Sequence, residues 1–385
     1  MTKQCYDFIV AGKQNTVNDT SRLYLCRLDN DGDRLQIFDS SDFPTESPGY
    51  MQLATTRSGL TMLYALSNSE VSWFLLTDQK GLVFSGKVPV GSDSAAHLCI
   101  DKSARMLFTA NYGDGTISCL PISDEGALGE TKILLNGQGV HHGIEGEWGD
   151  GPEFRQESAH PHGVIVCEDH LYVADLGSNE VVCWSIDYDA CMLYRSSSVL
   201  LHDLAGPRHI DFANNGRYGY VLNELDNTVC VLSRDGEKDG ELSVLQTVSS
   251  LPQGWAEENQ DPSQFPNQIY SQPSHASELL LAPDGRYLYA SNRGHDSIAV
   301  FAVNEVDGTI NPIQFESTGG RIPWVFCISD DGRFIIVQNN HSRIQAEGSD
   351  TVVVFERDFK TGLLTLMPAR LEFDEISSVW SLPMA

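Results

Sequence analysis

A histidine, two arginines and a glutamate stand out in this chain because each lies just outside an apolar run, where a side chain can reach a substrate. They are His162 in HPHG (His160–Gly163), Arg208 in GPRH (Gly206–His209), Glu224 after Asn223, and Arg293 after Asn292. His209, His275 and Glu278 hold comparable places, the last two within SHASE. Two guanidiniums can grip carboxylate or phosphate oxygens in a bidentate manner. A carboxylate or an imidazole can move a proton near neutral pH. An arginine beside a developing oxyanion favours it over the neutral carbonyl. Such a set suits hydrolysis or isomerisation of an anionic lactone. Each residue also has a plainer reading. Arg208 and Glu224 could be an ion pair between strands, His209 could only orient Arg208, and Arg293 could pair with Asp296 or with an adjacent blade edge. Glu278 more readily braces the fold than does chemistry, and His162 heads an apolar strand where a satisfied core histidine is common.

Residues this far apart in sequence are brought together by a repeat. Its clearest copy is Ser274–Ile310, with strands at Glu278–Ala282, Arg286–Asn292 and Ser297–Val303 leading into a fourth. The reversals are Pro283-Asp284-Gly285, Arg293-Gly294-His295-Asp296 and Asp307-Gly308. β-Branched and aromatic residues fill the runs, and turn formers fill the gaps. The second strand YLYASN (Tyr287–Asn292) recurs as YGYVLN (Tyr218–Asn223), LYVAD (Leu171–Asp175), LFTAN (Leu107–Asn111), LYALSN (Leu63–Asn68) and FIIVQN (Phe334–Asn339). With the opening stretch Tyr6–Phe38 there are seven copies. Four strands per repeat predict an all-β fold, a seven-bladed β-propeller of four-stranded antiparallel blades, with 1–385 as one domain. A C-terminal strand near Leu371–Ile376 is expected to pair with the first blade, and the Asp-Gly reversals are expected to be type I′ or similar. Strands alternate in direction, so the start of strand one and the end of strand two share one end of each blade. The candidate residues then converge on one mouth of the channel. Two segments, Asn136–Ala159 and Leu251–Pro273, break the repeat there and are expected to cover that mouth.

The bulk properties narrow the partners. A net charge of −28 argues against nucleic acid and anionic membranes, and an anionic substrate must meet a locally positive site. With 41% hydrophobic and 20% charged residues, the composition is that of a soluble globular protein. The opening MTKQCYDFIVAGKQ has no basic-then-apolar leader, and no apolar run reaches about 18 residues, so neither a signal peptide nor a membrane helix is expected. The nine cysteines lack CxxC pairs, and Cys119, Cys167, Cys183, Cys230 and Cys327 sit in apolar runs. Buried thiols in a reducing compartment, hence a cytoplasmic location, are the expectation. Nothing in the sequence speaks to oligomeric state. Asp29–Asp33 resembles a calcium loop but has Arg34 and Ser40 where Gly and Glu are required, which leaves a hairpin loop. His141 and His142 with Glu145 and Glu147 have no regular spacing for a metal. Neither a metal nor a cofactor is expected, and no phosphate-loop or dinucleotide fingerprint is present.

The stretches ANYGDGTI, HPHGVIVCEDHLYVADLGSNEV, GPRHIDFANNGRYGYVLNELDNTV, SELLLAPDGRYLYASNRGHDSIAVF and FCISDDGRFIIVQNN together carry a resemblance. The chain resembles the seven-bladed propeller lactonases of the 6-phosphogluconolactonase type, a family that also includes the fungal carboxy-muconate lactonizing enzyme. The match spans blades three to seven. GDGPEFRQESAHPHG is similar to the family's Gly-rich lead-in and adds Arg155 as a substrate-binding candidate. The resemblance implies a catalytic group of His162, Arg208, Glu224 and Arg293. Blades one and two depart from the family pattern, with QNTVNDTS and TTRSGLTMLYALSNS, so the match does not fix the substrate class.

The expected protein is a cytosolic, metal-independent lactonase acting on a small anionic sugar lactone, with 6-phosphoglucono-1,5-lactone first. Arg208 and Arg293 would bind the anionic group and polarise the carbonyl. His162 and Glu224 would activate water and protonate the leaving alkoxide, in either order. Arg155, His209, His275 and Glu278 are weaker substrate-binding candidates. Without water the same site would serve a carboxy-cis,cis-muconate-type cycloisomerase. A non-catalytic interaction platform is the third alternative, and it would show exposed aromatic patches on a rim instead.

Overall fold

The computed structural model describes residues 5–14, 21–44, 46–135, 155–235, 239–259, 273–344 and 348–384. Among them are seven four-stranded antiparallel sheets, numbered here in the order of the sequence repeat. They fall into two compact units. Pro48–Thr247 carries the second to fifth sheets, and Met1–Ser47 with Val248–Ala385 carries the first, sixth and seventh. The last strand of the fifth sheet, Glu241–Ser249, runs across the boundary.

The repeated apolar run has a simple cause. A strand covered on both faces reads as nearly continuous apolar sequence. Every residue of the second strands Met106–Asn111, His170–Asp175, Tyr218–Asn223, Tyr287–Arg293 and Phe334–Asn339 is buried. Fourth strands such as Glu241–Ser249 are instead mostly exposed, with Leu242 the one buried residue of that strand. Within each unit, neighbouring sheets pack face to face. Phe108 and Cys119 meet Val173 and Trp184 between the third and fourth sheets, and Tyr172 and Val181 meet Phe212 and Val221 between the fourth and fifth. Tyr289 and Val300 meet Val337 and Phe355 between the sixth and seventh. Full burial of one such side chain stabilises by about 1.5–3 kcal/mol.

Buried tyrosines add a polar tie between paired sheets. Tyr64, Tyr172 and Tyr289 are fully buried, and their hydroxyls donate to the carbonyls of Gly126, Gly240 and Gly362 at 2.8, 2.9 and 2.9 Å. Each glycine lies in the last hairpin of the following sheet. The Nε atoms of Arg234 and Arg357 donate to the Tyr172 and Tyr289 hydroxyls at 2.7 and 2.9 Å.

Three expectations need correction. The sixth sheet's first strand begins at His275, not Glu278, and its second strand runs on to Arg293. The reason is an irregular register that keeps His275 and Ala276 paired with Arg293 and Asn292 ahead of Leu279. The strand that pairs with Cys5–Lys13 is Glu375–Ser381. Leu371 belongs to the preceding strand, Leu364–Phe373, which pairs with Asp350–Arg357, and the chain reverses at Asp374. The Asp284-Gly285 reversal is not type I′, which needs positive φ at both central residues. Only Gly285 is positive (φ 73), and its N–H returns to the Ala282 carbonyl, as in a type I turn followed by a left-handed glycine.

One irregularity repeats in the first strands. Ala95 opposes Asn111 while His97 opposes Ala110, which leaves Ala96 as an extra residue. The fourth sheet treats His162 in the same way, between Pro161 and Gly163, and the fifth treats Arg208 so, between Pro207 and His209. In the sixth sheet Ser277 and Glu278 stand against Ser291, and in the seventh Trp324 and Val325 against Gln338. In the first sheet Ser377 is the extra residue. Tyr50–Thr55 of the second sheet pairs without a bulge. A bulge re-aims a side chain away from the ladder's alternation.

Candidate active site

His162 and Arg208 are thus the bulged residues of two first strands that lie side by side. The residue after each bulge occupies an equivalent place: His97, Gly163 and His209 oppose Ala110, Ala174 and Leu222. Gly163, between the two histidines, allows close approach. A Cβ there would stand 2.4 Å from the Arg208 carbonyl oxygen and 3.1 Å from the His209 Cα.

Glu224 is placed by the end of the fifth sheet's second strand. Asn223 pairs with Pro207, the Glu224 N–H donates to the Gly206 carbonyl at 2.8 Å, and left-handed Asn227 (φ 55) turns the chain back. Both carboxylate oxygens are held. Arg208 Nε donates to Oε2 at 3.0 Å and Arg155 Nη1 to Oε1 at 2.9 Å. Arg208 and Glu224 side chains are 3% and 2% exposed. Losing one partner of such a buried pair costs about 3–5 kcal/mol, because the other charge is stranded. The plainer expectation of an interstrand ion pair is therefore met, but Arg155 and His162 extend the pair into a cluster. Two guanidiniums against one carboxylate leave a positive balance, which suits an anion in an otherwise acidic chain.

His162 Nε2 stands 4.0 Å from Glu224 Oε2. That is too long for a direct hydrogen bond. Burial, reinforced by the Arg208 charge, holds the His162 pKa well below its ordinary value, with Glu224 opposing. The ring is neutral at pH 7 and keeps a lone pair. Arg208 Nη1 meets His209 Nε2 at 2.9 Å. A guanidinium can only donate, so His209 accepts and carries its proton on Nδ1. His209 does orient Arg208.

Arg155 is pinned by its neighbour. Gln156 is fully buried, and its Nε2 donates to the Leu176 carbonyl and to Asn179 Oδ1, both at 2.7 Å. Arg155 Nε donates to the Tyr112 hydroxyl at 3.1 Å. The Tyr112 ring stacks on His160 at 4.5 Å and meets His162 edge-on at 5.6 Å. His160 Nδ1 donates to the Tyr112 carbonyl at 2.8 Å, which fixes the ring from behind. Asp175 is structural, accepting the His160 and Ser178 N–H groups.

Arg293 belongs to the other unit. It is buried, its Nε and Nη2 donate to the carbonyls of His275 and Ala276 at 3.3 and 2.9 Å, and its guanidinium lies 4.4 Å over the Trp324 ring. Arg343 lies 4.0 Å over the same ring. Asp296, the expected plain partner of Arg293, accepts from Arg321 Nε at 3.3 Å and from the Ile322 N–H at 2.8 Å. His275 is buried, and Glu278 accepts the Leu279 N–H at 3.0 Å, a bracing contact.

Residues 8–380 match the family described as Lactonase, 7-bladed beta-propeller. The chain belongs to this lactonase family. Its seven sheets are accordingly the blades of a seven-bladed β-propeller. The chain is 30% identical over 321 residues to the 6-phosphogluconolactonase of Bacillus subtilis, with 82% of each chain covered. It is 29% identical to the 6-phosphogluconolactonase of Formosa agariphila, covering 75% of this chain and 74% of that one. Among solved structures, a periplasmic gluconolactonase of Pseudomonas aeruginosa superposes with a TM-score of 0.79 at 24% identity, covering 99% of this chain and 100% of that one. That likeness is one of fold.

In this lactonase, Tyr50, His97 and His160 were not candidates from the sequence, though all surround the cluster, as do Tyr112, at the exit of a second strand, and Gln156, which stands beside Arg155 in the lead-in. Aligning the blade starts AAH, PHG and PRH would have exposed His97 as the counterpart of His209. Tyr112 follows Asn111 as Glu224 follows Asn223, and so shared the same positional signal. Eight of the nine cysteines, all but Cys5, are buried free thiols. Among the described residues no helix is long and apolar enough to cross a membrane, and no group of three or more His, Cys, Asp or Glu is placed to hold a metal ion. His141, His142, Glu145 and Glu147, and most of the two segments expected to cover the mouth, lie outside the described residues.

Proposed function

We propose that this lactonase hydrolyses an anionic sugar lactone, with 6-phosphoglucono-1,5-lactone as the leading substrate. The observation that carries the reading is a carboxylate, Glu224, gripped at both oxygens by Arg208 and Arg155 with neutral His162 4.0 Å away. The names of the B. subtilis and F. agariphila relatives support the substrate class. A water between His162 and Glu224 gives its proton to the imidazole as its oxygen bonds to the lactone carbonyl carbon. Glu224, kept ionised by the two arginines, stabilises the imidazolium that forms. Charge gathers on the carbonyl oxygen, where a guanidinium of the cluster offsets it. As the ring carbon–oxygen bond breaks, the imidazolium returns the proton to the leaving oxygen, and the ring nitrogen is neutral again. The net change is lactone plus water to hydroxy acid, which then ionises. Arg293, at the equivalent strand end of the sixth blade, is proposed as a further anion-binding group. Eight buried free thiols support a reducing, cytoplasmic setting.

The test is turnover of freshly prepared 6-phosphoglucono-1,5-lactone by the wild type, Glu224→Gln and Arg293→Ala. Wild-type hydrolysis with a loss of about 100-fold or more in Glu224→Gln is expected. Undiminished turnover in that variant would remove Glu224 from the mechanism. Ring closure of carboxymuconate in place of lactone hydrolysis would move the reaction to cycloisomerisation.

A further inference from the structure

We propose that His97 is a positioning residue for the proton-transfer group, an inference that rests on the reading of His162 and Glu224 given above. The first strand of each blade is a sheet edge, and the N–H groups on its open side need acceptors from elsewhere. The Val164 N–H, two residues beyond His162, finds one in His97 Nδ1 at 3.3 Å. His97 comes from the third blade, so a side chain of one blade fixes the backbone beside the bulge of the next. Accepting through Nδ1 places its own proton on Nε2.

The same ring reaches the second bulge. His97 packs on Tyr50 at 4.0 Å and on His209 at 4.8 Å. His209 Nε2 in turn accepts from Arg208, whose Nε holds Glu224. One buried imidazole therefore touches the backbone beside His162 and the ring that aims Arg208. Its register explains the double contact, because His97, Gly163 and His209 are equivalent residues of three consecutive blades and the middle one has no side chain. His97 acts through His162 and Arg208, not on the substrate.

The experiment compares the wild type, His97→Phe, His97→Asn and His162→Gln on 6-phosphoglucono-1,5-lactone, with Tm for each. Phenylalanine keeps a ring against Tyr50 and His209 and removes the acceptor. Asparagine restores an oxygen close to where Nδ1 stands. His97→Phe is expected to lower kcat about tenfold or more with KM within about twofold, since small misplacements of a proton-transfer group cost rate and not ground-state binding. His97→Asn should recover most of that loss, and His162→Gln should lose more than His97→Phe. A wild-type kcat in His97→Phe, with His162→Gln inactive, overturns the positioning role and leaves the site reading intact. A change in KM or Tm alone, or a loss that asparagine does not repair, also overturns it. An active His162→Gln, or a wild type without turnover, removes the site reading and this inference together. If His97→Phe does not fold, His97→Gln, which displaces the acceptor by one bond, carries the same comparison.

Discussion

Gly163 and Arg208 meet backbone to backbone: a Cβ at position 163 would lie 2.4 Å from the Arg208 carbonyl oxygen. Gly163 follows His162 directly, and Arg208 holds Glu224. The separation of the His162 ring and the Glu224 carboxylate thus depends on how closely two first strands approach, and that approach is possible only because position 163 lacks a side chain.

Gly163→Ala should therefore impair chemistry more than binding. The added methyl meets main chain, which has little room to yield, so a stability loss of about 1–3 kcal/mol is expected. kcat should fall about tenfold or more as His162 moves off Glu224. Steady-state kinetics and thermal unfolding check this, and an alanine variant with wild-type kcat would show that the close approach is dispensable.

His162 also leaves a pH signature. Its pKa is low in the folded protein because it is buried beside Arg208, and about 6.5 when unfolded. Between those values the unfolded chain binds a proton that the folded chain refuses, so stability rises with pH across that window. The contribution is complete above about pH 6.5 and is lost as the pH falls towards the folded value. Chemical denaturation at pH 7.5 and 5 should show the wild type losing more stability on acidification than His162→Gln. Equal losses in the two proteins would mean that His162 titrates normally. kcat/KM should stay level through about pH 6.5 and decline only well below it, because it follows the lowered pKa of the folded enzyme.

Tyr289→Phe tests the tie between the sixth and seventh blades. It removes the donor to the Gly362 carbonyl and the acceptor of Arg357 Nε. Buried polar atoms left without partners cost about 1–3 kcal/mol, so Tm should fall while KM and kcat stay unchanged. A loss of activity without a loss of Tm would contradict a purely structural role.

The blades were legible because their second strands are buried on both faces, so LYVAD and YLYASN stand out without reference to other proteins. His162, Arg208 and Glu224 were legible because strand ends recur at one end of a repeat. The bulge that re-aims His162 and Arg208 was not, because an extra residue in one strand shows only against its partner's register. His97 was hidden for a related reason: its acceptor role depends on the open edge of the neighbouring blade, a relation without local sequence pattern. The start of the closing strand was misplaced because Leu371–Ile376 spans the end of one strand, a turn and the start of the next.

The bulged position is the one place in a first strand that the hydrogen-bonded ladder does not count. Alanine, histidine and arginine fill it in three successive blades, and tryptophan stands at its counterpart in the seventh. Such a position acts as a socket, holding side chains of very different size and charge while the strand pairing resumes in register beyond it.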